Sequence, residues 1–228
     1  MISDLTMFPR SLTNNFLRSL TSVTALNLYE NNHVTDLGIA HLTGIVDLNL
    51  WGNSKITCNA FRNLTNMTRL NLSFNDITIN YNLCNLDNLK HLELSEFYGE
   101  IKIGGLTNLR TLGLYATDSI ESNDLSLLTK LVSLDLGYAD HIELENLKVL
   151  RNLTELDLMH NDGSADDTAL GAFSNLTKLY LEGNRSITIA GLKSLPKLRE
   201  LCLSDTKNIK TDELNRTLCI STPIPSKI

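Results

Sequence analysis

Apolar residues recur along this chain in one fixed spacing, L-x-x-L-x-L-x-x-N, and the spacing repeats nine times. The first turns are Val23-Leu26-Leu28-Asn31, Ile45-Leu48-Leu50-Asn53, Met67-Leu70-Leu72-Asn75 and Leu89-Leu92-Leu94-Phe97. Leu109-Leu112-Leu114-Thr117, Leu131-Leu134-Leu136-Ala139, Leu153-Leu156-Leu158-Asn161, Leu176-Leu179-Leu181-Asn184 and Leu198-Leu201-Leu203-Thr206 follow. The starts are separated by 22, 22, 22, 20, 22, 22, 23 and 22 residues. Three residues ahead of each start stands another apolar residue, from Leu20 and Leu42 through Phe173 to Leu195. Such self-similarity is the mark of a repeat architecture.

The physics of the pattern predicts the architecture. In L-x-L the two leucines point to one side of a strand and their neighbours to the other, so each turn supplies one short strand with one buried face. A single turn cannot bury that face; stacked turns form a continuous parallel sheet with leucine columns behind it. The return path of about 14–16 residues is long enough for a parallel crossover. It predicts short 3₁₀ or single-turn helical pieces on the convex side, anchored by Val34, Ile56, Ile120, Ile142, Ile187 and Ile209 and by Leu83, Leu125, Leu147, Leu170 and Leu192. Asparagine at position nine can hydrogen-bond the backbone of the bend that leaves the strand. Phe97, Thr117, Ala139 and Thr206 depart from it, and with the 20-residue turn they predict a looser bend in the middle. Residues 1–22 read as a capping half-turn lacking its own strand, 23–219 as nine repeats, and 220–228 as a tail in which Pro223 and Pro225 end the sheet.

These residues resemble the leucine-rich-repeat family over roughly 12–219, in its short 22-residue class. The resemblance implies an α/β right-handed solenoid, an arc with one parallel sheet on its concave face and short 3₁₀ or irregular segments on its convex face. The period is similar to that of bacterial internalins and of a regulatory subunit of protein phosphatase. The stretch VTDLGIAHL at 34–42 looks more like repeats of intracellular bacterial effectors and large DNA viruses.

Composition narrows the function. No run approaches the roughly 18 apolar residues of a membrane helix. Asp4 and Arg10 would interrupt the apolar core of a signal peptide. The expected location is therefore the cytoplasm, including that of a host if the chain belongs with effectors or viral proteins. A net charge of -6 disfavours nucleic acid and anionic membranes. Cysteines at 58, 84, 202 and 219 form no C-x-x-C pair and are expected to be free thiols. Seven N-x-S/T sequons, at Asn63, Asn66, Asn71, Asn152, Asn175, Asn184 and Asn215, mostly belong to the wording of the repeat. No phosphate-binding glycine loop or nucleophile elbow is present, and His91 and His160 lie three turns apart, so no enzyme and no cofactor is expected.

Side chains flanking the strand leucines face the hollow of the arc, and four such positions per turn give 36, ten acidic and two basic. The hollow therefore reads as acidic. It carries Asp47, Glu93, Asp135, Glu155, Asp157 and Glu182, with Arg69, Asn49 and Asn71 among them. It also carries Trp51, Phe74 and the tyrosines Tyr29, Tyr115, Tyr138 and Tyr180. Aromatics suit strands, but exposed on a rigid surface they are also typical protein-binding anchors. Asp47 beside Arg69, and Glu155, Lys178 and Glu200 in line, can simply pair with one another. Asp135 beside Asp157 repels, and with Glu155 could receive a cation or a partner's Lys or Arg; an open sheet offers too few oxygens for calcium, so no metal is expected. The expectation is a monomeric module binding a protein with a basic surface. The rival is a structural spacer that self-associates through its ends or edges.

Overall fold

The computed structural model describes residues 4–5, 9–75, 81–83, 85–162, 165–204, 206 and 209. In chain order its strands are β1 (Asp4–Leu5), β2 (Ala25–Asn27), β3 (Asp47–Asn49), β4 (Arg69–Asn71), β5 (Tyr81–Asn82) and β6 (His91–Glu93). Then come β7 (Ile101–Lys102), β8 (Thr111–Gly113), β9 (Ser133–Asp135), β10 (Glu155–Asp157), β11 (Lys178–Tyr180) and β12 (Glu200–Cys202). Ten form one parallel sheet in the order β1-β2-β3-β4-β6-β8-β9-β10-β11-β12, while β5 and β7 pair apart from it. Each of the nine repeats thus gives one strand of a leucine-rich-repeat solenoid, in unbroken register from Leu26 to Leu201.

The expectation that the leading half-turn lacks a strand is corrected: Asp4 and Leu5 pair in parallel with Ala25 and Leu26. Behind this strand, α1 (Asn14–Arg18) buries Leu17, with Thr13 Oγ1 accepting from the amide of Phe16 at 3.4 Å as its N-cap. Pro223, Pro225, Cys84, Cys219, Asn215 and Asp205 lie outside the described residues.

The convex side holds the short helical pieces the return path predicts: α2 (Asp36–Ile39), α3 (Ser122–Ser126), α4 (Asp167–Leu170), α5 (Ile189–Lys193), and 3₁₀ turns at Cys58–Asn63 and Leu144–Leu147. Their anchors, from Val34 to Ile209 and from Leu83 to Leu192, are all buried. The 20-residue turn differs. Its convex path is extended, as β7, which pairs in parallel with β5 of the preceding 22-residue turn. Acids staple successive turns elsewhere: Asp36 accepts from the Thr57 amide and hydroxyl, both at 2.6 Å, and Asp167 does the same for Thr188 at 2.8 and 2.5 Å.

The bend after each strand has a strict geometry. Two residues beyond the second strand leucine, the amide of position eight still donates to the next turn, as Glu30 to the Trp51 carbonyl at 2.8 Å and Phe74 to that of Ser95 at 2.9 Å. The following amide turns back within its own turn, as Asn31 to Leu28 at 3.0 Å. Both bonds are made with position eight in the left-handed region. Its φ is +48° at Glu30, +62° at Gly52, +57° at Phe74, +49° at Glu96, +51° at Ala116, +56° at Tyr138, +49° at His160 and +65° at Gly183. For residues other than glycine this conformation costs roughly 1–2 kcal/mol.

Position nine then closes the bend, as its chemistry predicts. Asn31, Asn53, Asn75, Asn161 and Asn184 are fully buried. Asn184 Nδ2 donates to the Asn161 carbonyl of the preceding turn at 2.7 Å, and its Oδ1 accepts from the amides of Ser186 at 3.1 Å and Ile187 at 3.0 Å. The expected looser bend at Phe97, Thr117 and Ala139 is not found: all three are buried, and their amides reach back at 3.2, 3.2 and 3.0 Å. Thr117 Oγ1 replaces the amide by donating to the Leu94 carbonyl; Phe97 and Ala139 fill the space with carbon. A second asparagine column stands in the descending loop, where Asn66, Asn152 and Asn175 donate to Thr43, Thr129 and Arg151 carbonyls at 3.0, 2.8 and 2.9 Å. These positions explain why sequons recur with the repeat.

Two outcomes follow. Leu134→Ala, at a fully buried central column, lowers unfolding stability by about 2–5 kcal/mol in urea titration, and a loss under about 1 kcal/mol would contradict the register. Asn161→Ala removes the side-chain donor from the carbonyls of Leu136 and Ala139, which keep only the amides of Ala139 and Ile142, and costs about 1–3 kcal/mol by the same measurement.

Candidate binding face

Four rows of side chains cross the sheet on its concave side, fixed by the strand register. The row ahead of the central leucines carries ion pairs. Arg69 Nε and Nη2 reach Asp47 Oδ2 at 3.0 and 2.6 Å, and Lys178 Nζ reaches Glu200 at 3.0 Å. Glu155, the third member expected in line, instead accepts from the Tyr180 hydroxyl at 3.3 Å. These exposed pairs are screened by solvent and contribute little to stability. His91 Nδ1 lies 3.0 Å from Thr111 Oγ1, and burial, with Arg69 and Lys90 nearby, lowers its pKa.

The next row has a structural duty that the sequence reading missed. Asn27, Asn49, Asn71, Asp135 and Asp157 each place Oδ1 on the amide two residues ahead, at 2.9, 3.0, 2.8, 2.9 and 2.8 Å. Such Asx turns hold the chain as it leaves the strand. Asn49, Asn71, Asp135 and Asp157 are therefore part of the scaffold as well as of the hollow. A short Asn or Asp just before the second leucine was the available signal.

Glu93, Asp135 and Asp157 stand in this same row, with Gly113 between the first two. The Glu93 carboxylate lies over Gly113 in the space a Cβ would need, and the Tyr115 ring lies in the same way over Gly137. Two glycines thus let an acid and a ring lie flat beside Asp135. Burial, reinforced by Asp135, pushes the Glu93 carboxyl up to about 7. Burial, then Asp135, pushes Asp157 up to about 7 against the lowering bond from Met159 N–H. Asp135 is raised by burial and by Glu155, opposed by its bond from Gly137 N–H. At neutral pH the hollow therefore carries less charge than its count of acids suggests. Among the described residues no group of three or more His, Cys, Asp or Glu is gathered to hold a metal ion.

The aromatic residues assemble into two ladders along the edge where the strands end. Tyr29 stacks on Trp51 at 4.5 Å between ring centroids and 15° between planes, and Trp51 packs on Phe74 at 4.4 Å and 39°. Arg10 covers the outer face of Tyr29, 5.6 Å from the ring centroid, and pairs with Glu30. Farther along, Tyr115 meets Tyr138 edge-on at 5.2 Å, and Tyr138 stacks on His160 at 4.6 Å and 30°. Tyr180 stands apart from both, against Glu155. The structure thus brings together Tyr29, Trp51 and Phe74, and Tyr115 and Tyr138, while Asp47 and Arg69 serve each other and Glu182 lies near Asp157 and Cys202. Arg10 and His160 belong to the ladders and were not among the expected site residues. Cys202 is half-buried, its thiol pKa raised by burial and by Glu182 and Asp157, which disfavours the thiolate; Cys58 and Cys202 are free.

No family model matches the chain, and no curated protein matches it by sequence. Solved structures do match. Internalin InlF of Listeria monocytogenes superimposes with a TM-score of 0.63 at 24% identity over 93% of this chain and 69% of that one. Internalin C2 of the same bacterium gives 0.53 at 27% identity, covering 93% and 84%. Mouse RP105, from its complex with MD-1, gives 0.63 at 19% identity, covering 98% of this chain and 40% of that one. Among the described residues no helix is long and apolar enough to cross a membrane. With its nine-turn register, its buried asparagine column and these structural neighbours, the chain has the leucine-rich-repeat solenoid fold, with turns of 20–23 residues.

Proposed function

We propose that the chain is a non-enzymatic interaction module that binds a protein partner with a basic surface on its concave face. The observation that carries this reading is the ladder Tyr29–Trp51–Phe74, stacked at 4.4–4.5 Å and exposed at Phe74, beside an acid-rich hollow. Preformed rings lose little side-chain entropy on binding, and a rigid sheet holds them in place. Acids along the hollow steer a basic partner toward them. The RP105/MD-1 structure, in which a protein of this fold is complexed with another, supports the same reading. The cytoplasm and a monomeric state belong to the proposal too.

The test is affinity capture from lysate, followed by purification of the captured protein and kinetics on a sensor surface. Trp51→Ala speeds dissociation and weakens binding by about 2 kcal/mol or more. Reversal of Asp135, Glu155 and Asp157 to Lys slows association, an effect that shrinks as salt rises. A captured protein whose binding survives both changes at low salt would place the interface elsewhere.

The carboxylates add a pH signature. Glu93 and Asp157 ionise in the folded protein at about 7, well above their ordinary 4.5 and 3.8. Between these ordinary values and about 7 the folded chain holds protons that the unfolded chain has released, so the stability these groups contribute is fully present below about pH 4, falls across the interval and is lost as pH rises through 7. Glu93→Gln should flatten the fall in thermal midpoint between pH 5.5 and 8, and association with a basic partner should quicken over the same interval.

A further inference from the structure

Position eight of the repeat is left-handed in every described turn, yet glycine occupies it only at Gly52 and Gly183. Phe74 and Tyr138 hold the same conformation with large rings, which is an outlier for bulky residues, and His160 holds it with an imidazole. The fold does not reclaim that strain by burying them: Phe74 is 42% and Tyr138 44% exposed. Strain retained where glycine would relieve it points to a use for the side chain. Each strained ring extends a ladder that position seven begins, Phe74 after Tyr29 and Trp51, and Tyr138 and His160 after Tyr115.

The two ladders are separated by one turn, which offers Ser95 and Glu96 at positions seven and eight, with the Glu96 carboxylate accepting from the hydroxyl of exposed Tyr98 at 3.5 Å. Arg10 closes the outer end of the first ladder, so its open end is Phe74, facing that gap. At about 4.8 Å per strand, Phe74 and Tyr115 stand about 10 Å apart, and Trp51 and Tyr138 about 19 Å. An extended peptide crossing the strand ends places residues i and i+4 about 13 Å apart on one face, with i+2 between them. Two apolar side chains at that spacing meet one ladder each, and the side chain between them lies over Glu96.

We infer that the paired ladders and Glu96 form a docking surface for an extended segment of a protein partner, with an apolar residue, one spacer, Arg or Lys, one spacer and a second apolar residue. This rests on the reading of the concave face as a protein-binding surface and names what it recognises. The acid in the gap and the acids of the adjoining row select a positive charge at the centre, and the rings select apolar groups on either side.

A fluorescein-labelled twelve-residue peptide with Phe-Ser-Arg-Ser-Phe at its centre tests this by fluorescence anisotropy with the full chain. Saturable binding is expected, weakened about tenfold or more by each of Phe74→Gly, Tyr138→Gly and Glu96→Lys. The rearranged peptide Phe-Ser-Arg-Phe-Ser, whose second ring faces away, should bind as weakly. The glycine variants should melt within about 4 °C of the wild type, at or above Phe74→Ala and Tyr138→Ala, because glycine removes the strain. Peptide binding indifferent to these changes would overturn the inference, as would a drop of more than about 10 °C in the glycine variants, which would make the ladders structural braces. Binding of maltohexaose to the rings in place of the peptide would overturn it as well. A captured partner lost on Trp51→Ala but retained by Phe74→Gly and Tyr138→Gly would refute this motif while leaving the concave-face reading intact.

Discussion

Every turn of this solenoid must leave its sheet without abandoning a peptide group, and from Glu30 to Gly183 the left-handed residue at position eight is how it does so. One amide continues the sheet into the next turn and the following one reverses into its own. Buried backbone groups in an irregular loop need such partners, because an unpaired one carries the full cost of desolvation. All else hangs on this bend. It sets the entry of the convex path, carries the asparagine column, and presents the side chains of positions seven and eight at the edge of the hollow.

Stability is consequently a property of neighbours. A strand of three residues is far too short to persist alone, and each leucine is buried only because the turns on both sides supply its walls. The same holds for the polar parts. Asn184 completes Asn161, Thr188 completes Asp167, and Asn175 completes Arg151, each across one turn. The strand at Asp4–Leu5 extends this logic to the first repeat, whose Ala25 and Leu26 would otherwise face a missing neighbour.

The leucine columns were legible in the sequence because an L-x-L spacing and a buried strand face are the same fact. The strand at Asp4–Leu5 was not: Ile2, Leu5 and Met7 keep the spacing, but Arg10 stands where the repeat has asparagine. The bends at Phe97, Thr117 and Ala139 misled for a related reason, since a hydroxyl or bulk carbon can close a turn that the reading reserved for an amide. On the concave face the rows were legible, being a matter of alternation. The duties within a row were not. That Asp135 bonds its own backbone, that Glu93 lies over Gly113, and that Tyr115 and Tyr138 meet edge-on depend on side-chain directions that spacing does not encode.

Glu93 and Asp157, ionising at about 7, give the hollow a charge that is not a fixed attribute. A neutral group laid over them leaves their protons in place; a guanidinium or ammonium in the same place expels them, and the protons pass to the buffer. The face thus adjusts its own electrostatics to what rests on it. One surface can meet an apolar ring without stranding a carboxylate beneath it and a cation without lacking a counter-charge. The heat of association with a cationic group will accordingly vary with the ionisation enthalpy of the buffer.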